Sequence, residues 1–300
     1  MNKHWPFNGK STADDVLSGV DLSGQLIIVT GGNTGIGFET ARALAAAGAV
    51  VVIACRSLQR GAAARRRIEQ FHPDCTVHCK ELDLASVASI RNFCAQLPYA
   101  QINTVICNAG AVNPRYEQTE DGFEQTVGVC HLGHFLLVKE LIPRLLRAER
   151  PRVIMVSSES HRAPRELDFE MLPIDKAHYS AMKAYGQAKL CNALMARELD
   201  RRYGDRGLMA CYLHPGTMVT TEIGRDSWPV KIAINLARPF TKSAAQGAAT
   251  TVLCASWEDT TDLSGQYFSN CRPVRPSKEA VNAEAAQRLW ETTDAWLEAV

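Results

Sequence analysis

The stretch Thr30-Gly31-Gly32-Asn33-Thr34-Gly35-Ile36-Gly37 joins an apolar run at residues 25–30 to an alanine-rich segment that ends at Gly48. The apolar run predicts a buried strand, and the alanine-rich segment predicts a helix with a glycine stop. Glycines between a strand and a helix let the backbone approach a pyrophosphate, whose charge the helix N-terminus favours. The turn therefore predicts a dinucleotide site, although an ordinary strand-to-helix connection would give the same pattern.

Short apolar strands alternate with helical patterns along the whole chain. Strands are predicted at residues 25–30, 50–55, 77–82, 102–107, 153–157, 208–213 and 266–269. Helices are predicted at residues 36–48, 59–71, 87–97, 122–147 and 179–203. This alternation predicts an α/β fold, a single-domain Rossmann-type doubly wound parallel sheet of about seven strands with helices on both faces. No linker divides the chain, so we expect a polar N-terminal leader at 1–23 and one domain at 24–300.

Composition argues against several classes of partner. The 300 residues carry 33 basic and 32 acidic side chains, which gives no reason to expect a nucleic acid. No apolar run is long enough for a transmembrane segment, and residues 1–20 lack the apolar core of a signal peptide. We therefore interpret the ten cysteines as reduced and the protein as cytoplasmic. We expect no metal: the histidines and cysteines within 72–79 lack a second ligand pair, and His131 and His134 are interpreted as packing residues.

The end of the second strand indicates which dinucleotide is preferred. An NAD site usually places an acidic residue there, about 20 residues after the glycines. The sequence instead reads Ala54-Cys55-Arg56-Ser57, with no acidic residue between Glu39 and Glu69. Arg56 can pair with a 2′-phosphate and Ser57 can hydrogen-bond it, which predicts NADP (NADPH) in preference to NAD. The alternative is that Arg56 is a surface arginine after a strand.

Tyr185 and Lys189 are the candidate acid–base pair. Their spacing of four residues places both side chains on one face of the predicted helix. A lysine ammonium held beside the ring favours phenolate over phenol, so Tyr185 can act as a general acid or base. The alternative is a buried helix tyrosine whose hydroxyl is satisfied by a neighbour.

Together these motifs resemble the short-chain dehydrogenase/reductase family over roughly residues 22–269. Further motifs occur in the family's order: Asp83-Leu84, Asn108-Ala109-Gly110, Ser158, and Pro215-Gly216 with Thr220. The resemblance implies a catalytic set of Ser158, Tyr185 and Lys189, in which Ser158 bonds the substrate oxygen and Lys189 also holds the nicotinamide ribose. It implies cofactor contacts from these residues: Gly31, Asn33, Thr34, Gly35, Ile36, Gly37, Arg56, Ser57, Asp83, Leu84, Asn108, Ala109, Gly110, Tyr185, Lys189, Pro215, Gly216 and Thr220.

Two stretches resemble the retinol-dehydrogenase-like group of this family, His131-Leu132-Gly133-His134-Phe135 and Ala54-Cys55-Arg56. This implies hydride transfer between the nicotinamide and a small hydrophobic alcohol, aldehyde or ketone. The apolar segment 223–242 stands where the family places its substrate lid, although an amphipathic surface helix would look alike. A homo-oligomer is compatible with the resemblance. The leader is too short to hold the WW domains found in some relatives, so binding of Pro-rich peptides is not carried over.

Cys130 departs from the family pattern, which usually has Asn immediately before His-Leu-Gly-His-Phe. By resemblance, that Asn helps to hold a water that connects the lysine to solvent, largely through its backbone carbonyl. Cysteine keeps the carbonyl and loses the amide, so we expect activity to be retained or reduced. An alternative class stays open, a nucleotide-binding interaction or regulatory module with weak or no turnover.

Overall fold

The computed structural model describes residues 5–169, 172, 176–216 and 242–300. The strands, β1 to β8 in chain order, are Leu26–Thr30, Val50–Cys55, Thr76–Glu81, Thr104–Cys107, Arg152–Val156, Met209–His214, Tyr267–Ser269 and Arg272–Pro273. They form one sheet in the order β3-β2-β1-β4-β5-β6-β7-β8, in which only the β7–β8 pair is antiparallel. The predicted fold class is therefore confirmed.

The eighth strand was not predicted, because it is only two residues long and so shows no alternation of apolar and polar residues. It forms through a tight turn in which Asn270 and Cys271 both take positive φ, +54° and +59°. Positive φ at both central residues is the requirement of the tight hairpin turns that match strand twist. Pro273 is tolerated in β8 because this strand lies at the edge of the sheet.

Helices cover both faces of the sheet. In chain order, α1 to α9 are Ala13–Leu17, Gly35–Ala46, Leu58–Phe71, Val87–Ala95, Gln125–Val127, Gly133–Leu145, Ala181–Tyr203, Ala244–Ser256 and Ala283–Glu298. Successive side chains of a strand point to opposite faces, so Ile28 joins the apolar core under α4, α6, α7 and α9, while Ile27 joins the core under α1, α2, α3 and α8. Helix α1 lies within the predicted leader and buries Val16 and Leu17 in the second core. Among the described residues, no helix is both long and apolar enough to cross a membrane.

The helix predicted at 122–147 is wrong at its start and in its continuity. Gly122 has φ +85° and lies in a turn, so the helix begins only at Gln125. A π-helical turn, Gly128–Leu132, then separates α5 from α6. At Gly133 a β-carbon would overlap the Leu84 carbonyl oxygen, so the backbone packs too closely there for any side chain. π-Turns inside helices occur frequently at functional sites, and this one contains Cys130.

The strand order places several candidate residues at one edge of the sheet. Parallel strands have their carboxyl ends on the same side, and the order reverses between β1 and β4. Ligands of open α/β sheets bind outside the carboxyl ends at such a reversal. Gly31, Arg56, Asn108, Ser158 and Pro215 follow the ends of β1, β2, β4, β5 and β6.

Candidate active site

The glycine turn after β1 is shaped by close backbone contacts. Gly31 and Gly35 have φ of +65° and +57°, in the left-handed region that other residues avoid. A β-carbon at Gly37 would overlap both the Asn108 side-chain amide and the Gly31 carbonyl oxygen. The turn continues directly into α2, whose first backbone N–H groups have no partner within the helix. The resulting backbone cradle fits a dinucleotide pyrophosphate, and Asn33, Thr34 and Ile36 lie along it, none of them fully buried.

Thr30, at the end of β1, connects the glycine turn to the loop after β4. Its buried hydroxyl accepts hydrogen bonds from the N–H groups of Asn108 and Ala109, both at 2.9 Å. In return the Asn108 side-chain amide donates to the Thr30 carbonyl at 2.8 Å. Thr30 was not among the site residues predicted from the sequence. A polar residue at the end of a buried apolar strand nevertheless indicates that its side chain needs a hydrogen-bond partner.

His134 ties this network to the π-turn. Its Nδ1 lies 3.0 Å from the Cys130 carbonyl and its Nε2 lies 2.9 Å from the Thr30 hydroxyl. Because a carbonyl only accepts, Nδ1 carries the proton and Nε2 accepts from Thr30. Burial lowers the pKa of His134 to about 4, and the nearby Lys189 ammonium also lowers it. His134 is therefore a neutral structural link, in agreement with the packing role predicted for it.

Tyr185 and Lys189 lie on the same face of α7. The Lys189 Nζ atom is 5.5 Å from the centre of the Tyr185 ring. This ammonium is nearly inaccessible, since Lys189 is 3% exposed, and it donates to the Val156 carbonyl at 2.9 Å. An ammonium has three donor hydrogens, so this bond leaves it able to bind a further acceptor.

Ser158 follows β5 and caps a short 3-10 helix, Glu159–Arg162, with its hydroxyl accepting from the Ser160 N–H at 3.2 Å. The backbone of this turn packs against α7 beside Tyr185. A β-carbon at Gly186 would lie 3.2 Å from the Ser160 carbonyl oxygen, so a glycine next to Tyr185 permits the close approach. The structure thus brings the Ser158 turn and the Tyr185–Lys189 face of α7 together.

Two further side chains hold this junction: Ser157, which was not singled out from the sequence, and His161, which was interpreted as structural or pocket-lining. The Ser157 hydroxyl donates to the Lys189 carbonyl at 2.7 Å. The Nδ1 atom of the buried His161 donates to the Ser158 carbonyl at 2.7 Å. Its Nε2 atom accepts from the Ser277 N–H at 3.4 Å. His161 therefore fixes the backbone of Ser158 against the C-terminal part of the chain.

Cys130 is fully buried between Lys189 and the loop after β4. A β-carbon at Gly110 would lie 3.3 Å from Lys189 Nζ and 3.5 Å from Cys130 Sγ. The thiol accepts from the Ala111 N–H at 3.4 Å and points toward the Ala111 carbonyl at 3.5 Å. The single sulfur of Cys130 thus contacts both the N–H and the carbonyl of Ala111. An Asn side chain could make the same two contacts with separate atoms, an oxygen that accepts and a nitrogen that donates.

We expect Cys130→Asn to keep or raise the rate of carbonyl reduction. The amide oxygen can accept from the Ala111 N–H and the amide nitrogen can donate to its carbonyl, while the Cys130 backbone carbonyl stays bonded to His134. Steady-state rates at matched folding and cofactor occupancy measure the effect, with Cys130→Ala as the control that removes both contacts. A large drop in the Asn variant alone would show that the site has adapted to the thiol.

The remaining cofactor candidates differ in accessibility. Arg56 is exposed beyond the end of β2, and Ser57 caps α3, its hydroxyl accepting from the Arg60 N–H at 3.3 Å. The Asp83 carboxylate accepts from the Ala85 N–H at 2.9 Å. Leu84 is buried against Gly133, so its side chain contributes mainly to packing.

The predicted loop after β6 is described only at its start. Pro215 is half-buried, and Gly216 has φ +124°, with Lys242 so close that a β-carbon at 216 would lie 2.5 Å from its Cδ. Thr220 and residues 223–241 of the predicted lid lie outside the described residues.

Comparison with known proteins agrees with this geometry. Residues 25–170 match the family model described as short chain dehydrogenase. A solved structure of an uncharacterized protein from Mycobacterium paratuberculosis superposes with a TM-score of 0.77 at 31% identity, covering 96% of this chain and 98% of that one. Together with the curated relatives below, these matches show that the chain belongs to the short-chain dehydrogenase family of oxidoreductases.

The curated relatives narrow the resemblance. The chain is 45% identical over 297 residues to the WW domain-containing oxidoreductase of Gallus gallus, covering 96% of this chain and 72% of the relative. It is 41% identical over 276 residues to retinol dehydrogenase 12 of Mus musculus, covering 91% and 86%. The stretches Ser157–Arg162, 238–243 and 246–251 of the sequence resemble the dehydrogenase domain of the first relative. The resemblance of His131–Phe135 to the retinol-dehydrogenase-like group is confirmed by the second.

Proposed function

We propose that this protein is an NADP-dependent oxidoreductase that transfers a hydride between a nicotinamide and a hydrophobic alcohol, aldehyde or ketone, with Tyr185 as general acid or base. The observation that carries the proposal is the buried Lys189 ammonium, 5.5 Å from the Tyr185 ring and packed beside the Ser158 turn. Burying an ammonium costs free energy that one hydrogen bond to the Val156 carbonyl only partly offsets, which favours a role in binding or catalysis. The substrate class rests on the similarity to a retinol dehydrogenase.

Each residue of the proposed set has a distinct task. A bound nicotinamide supplies or accepts the hydride. Tyr185 gives its phenolic proton to the carbonyl oxygen in reduction and takes a proton in oxidation. Lys189 favours the phenolate form through its charge and offers a free N–H to a ribose hydroxyl. Ser158 donates to the substrate oxygen, where negative charge develops, from a turn already held rigid by His161.

The proposed cofactor site extends from the glycine turn to the end of β6. The pyrophosphate would lie at the turn formed by Gly31, Asn33, Thr34, Gly35, Ile36 and Gly37. The adenosine end would meet Asp83 and Leu84, and the 2′-phosphate would meet Arg56 and Ser57. Asn108, Ala109 and Gly110 would line the ribose side. Pro215, Gly216 and Thr220 would meet the carboxamide, and residues 223–242 would close over the substrate.

A panel of aliphatic, aromatic and retinoid-like carbonyls, each with NADPH and with NADH, tests the function through the loss of absorbance at the reduced nicotinamide. Reduction of at least one apolar carbonyl with NADPH is expected. The second candidate function is a nucleotide-binding module with weak or no turnover, and Cys130 is the observation that favours it. Tight NADPH binding without reduction across the whole panel would establish that second function.

Arg56→Ala is expected to weaken NADPH binding by roughly tenfold to a hundredfold, the loss of one charged hydrogen bond to phosphate. NADH binding should change little, because NADH lacks the 2′-phosphate. Isothermal titration of both cofactors against wild type and variant measures the difference. Arg66→Ala is the matched control, since it removes an equally exposed arginine of α3, eight residues and roughly 12 Å along the helix from Leu58. Equal weakening of both cofactors, or tighter wild-type binding of NADH, would contradict the NADP assignment.

A further inference from the structure

Two cysteines meet beneath the helix that begins at the proposed 2′-phosphate site. In the β2–β3 pairing, Ile53 lies opposite Cys79 and Cys55 lies opposite Glu81. Cys55 and Cys79 are thus two positions apart on neighbouring strands, and residues two apart point to the same face. On that face both sulfurs contact Gly61 of α3: a β-carbon there would overlap the Cys79 sulfur and lie 2.8 Å from the Cys55 sulfur.

The two thiols differ in accessibility and bonding. Cys55 is 6% exposed, and its S–H donates to the Ser57 carbonyl at 3.3 Å. Cys79 is half-buried, so a small oxidant can reach it. We infer that Cys55 and Cys79 form a peroxide-sensitive dithiol, in which Cys79 is the attacking sulfur and Cys55 is the resolving one.

The surroundings of the pair favour this division of roles. When the Cys55 S–H turns from the Ser57 carbonyl to the Cys79 sulfur, it lowers the pKa of Cys79, and the charge of Arg65 lowers it further against the opposing effect of burial. The same hydrogen bond and burial raise the pKa of Cys55. Reactive cysteines are those with thiolate character and partial exposure, and Cys79 meets both conditions. Burial instead raises the pKa of the adjacent Cys75, which makes it the matched control.

The proposed chemistry has two steps. The Cys79 thiolate attacks one oxygen of the peroxide, the O–O bond breaks, and the departing hydroxide takes up a proton to give water and a sulfenic acid. The Cys55 sulfur then attacks the Cys79 sulfur, and the hydroxyl leaves with the Cys55 proton as a second water. Two thiols are thereby oxidised by two electrons to a disulfide, and one peroxide is reduced to two waters. A dithiol reductant reverses the bond by exchange.

Closing the bond would affect the turn that holds Arg56. Residues two apart on adjacent strands have backbones about 7–8 Å apart, whereas disulfide-linked residues lie about 5.5–6 Å apart. Because β2 and β3 are already paired, closing the bond requires the end of β2 to shift along β3, which strains the last hydrogen bonds between them. It also removes the S–H that bonds the Ser57 carbonyl. Resting on the proposed function, we expect the oxidised protein to bind NADPH roughly two- to tenfold more weakly, the range for one lost neutral hydrogen bond.

Peptide mapping after treatment with hydrogen peroxide tests whether Cys55 and Cys79 form a disulfide, and the result does not depend on NADPH binding. Trypsin releases Cys55 in the peptide 43–56 and Cys79 in the peptide 68–80, which also contains Cys75. A linked pair of these peptides is expected in wild type and in Cys75→Ser, and it should disappear after dithiothreitol. Cys55→Ser should give no linked pair and should instead trap a dimedone adduct on Cys79.

Two results would overturn the inference. One is the absence of linked peptides at peroxide levels that oxidise other thiols of the protein. The other is linkage that is lost in Cys75→Ser. A measurement on wild type needs no variant to fold: alkylation of Cys79 by iodoacetamide should reach half its maximal rate at a lower pH than alkylation of Cys75, and the reverse order would contradict the assigned nucleophile. If the disulfide forms but NADPH affinity does not change, the dithiol stands and only its proposed effect on cofactor binding is wrong. If the untreated protein does not bind NADPH at all, the proposed function is wrong instead.

Discussion

Tyr185→Phe is expected to lower the rate of hydride transfer by at least about 10²-fold, the lower scale of general acid–base assistance. The substitution removes one hydroxyl and keeps the ring, so the packing of α7 and the contact with Lys189 should survive. Single-turnover reduction of an accepted carbonyl at saturating NADPH measures the chemical step directly. NADPH affinity, measured in parallel, should stay close to that of wild type.

Lys189→Met provides the comparison that separates the two roles assigned to this pair. It removes the ammonium beside the Tyr185 ring and the donor proposed for the ribose, so both turnover and NADPH affinity should fall. Tyr203→Phe is the matched control, because it removes a tyrosine hydroxyl from the far end of the same helix. Hydride transfer at the wild-type rate in Tyr185→Phe would show that this tyrosine only packs and that the mechanism is wrong.

The parallel sheet could be predicted from the sequence because its strands are buried on both faces. Val50–Cys55 and the four residues that follow Arg152 in β5 lie between two helical layers, so each appears as an uninterrupted apolar run. The β7–β8 hairpin could not be predicted, because its turn depends on backbone angles at Asn270 and Cys271 rather than on a composition signal. The helix predicted at 122–147 failed for a related reason: its late start depends on the positive φ of Gly122, and the π-turn at Gly128–Leu132 changes only the hydrogen-bonding pattern of the backbone.

In the candidate site, too, some residues could be predicted from the sequence and others could not. Sequence motifs identified residues whose chemistry is conspicuous, such as Tyr185 and Lys189. They did not identify the residues that hold the site together. Thr30 accepts a hydrogen bond from Asn108, 78 positions away, and His161 links the Ser158 turn to Ser277, 116 positions away. A hydrogen bond between distant segments depends on the folded register of the sheet, which no local pattern encodes.

The free energy of unfolding is expected to fall by about 3 to 4 kcal/mol between pH 7 and pH 5, because His131 and His134 are buried as neutral rings. Burial lowers the pKa of His131 to about 3 and that of His134 to about 4, against 6.5 for a free ring. As the pH falls below 6.5, the unfolded chain takes up protons that the folded protein does not, so stability decreases by about 1.4 kcal/mol per pH unit for each ring. The stabilisation is complete above pH 6.5 and is lost progressively toward pH 3 to 4.

Urea unfolding at a series of pH values measures this loss, provided the dependence on denaturant stays constant. His131→Gln should reduce the slope between pH 6 and pH 5 by about 1 kcal/mol per pH unit, the contribution of one ring. Glutamine does not titrate there, and its amide nitrogen can still reach the Thr293 hydroxyl, which lies 3.1 Å from the histidine Nε2. His72→Gln, at the end of α3 where the side chain is half-exposed, is the matched control for replacing a histidine. A wild-type stability that is flat from pH 7 to pH 5 would mean that the buried rings do accept protons, and the hydrogen-bonding assignment of His134 as donor to Cys130 and acceptor from Thr30 would then be wrong.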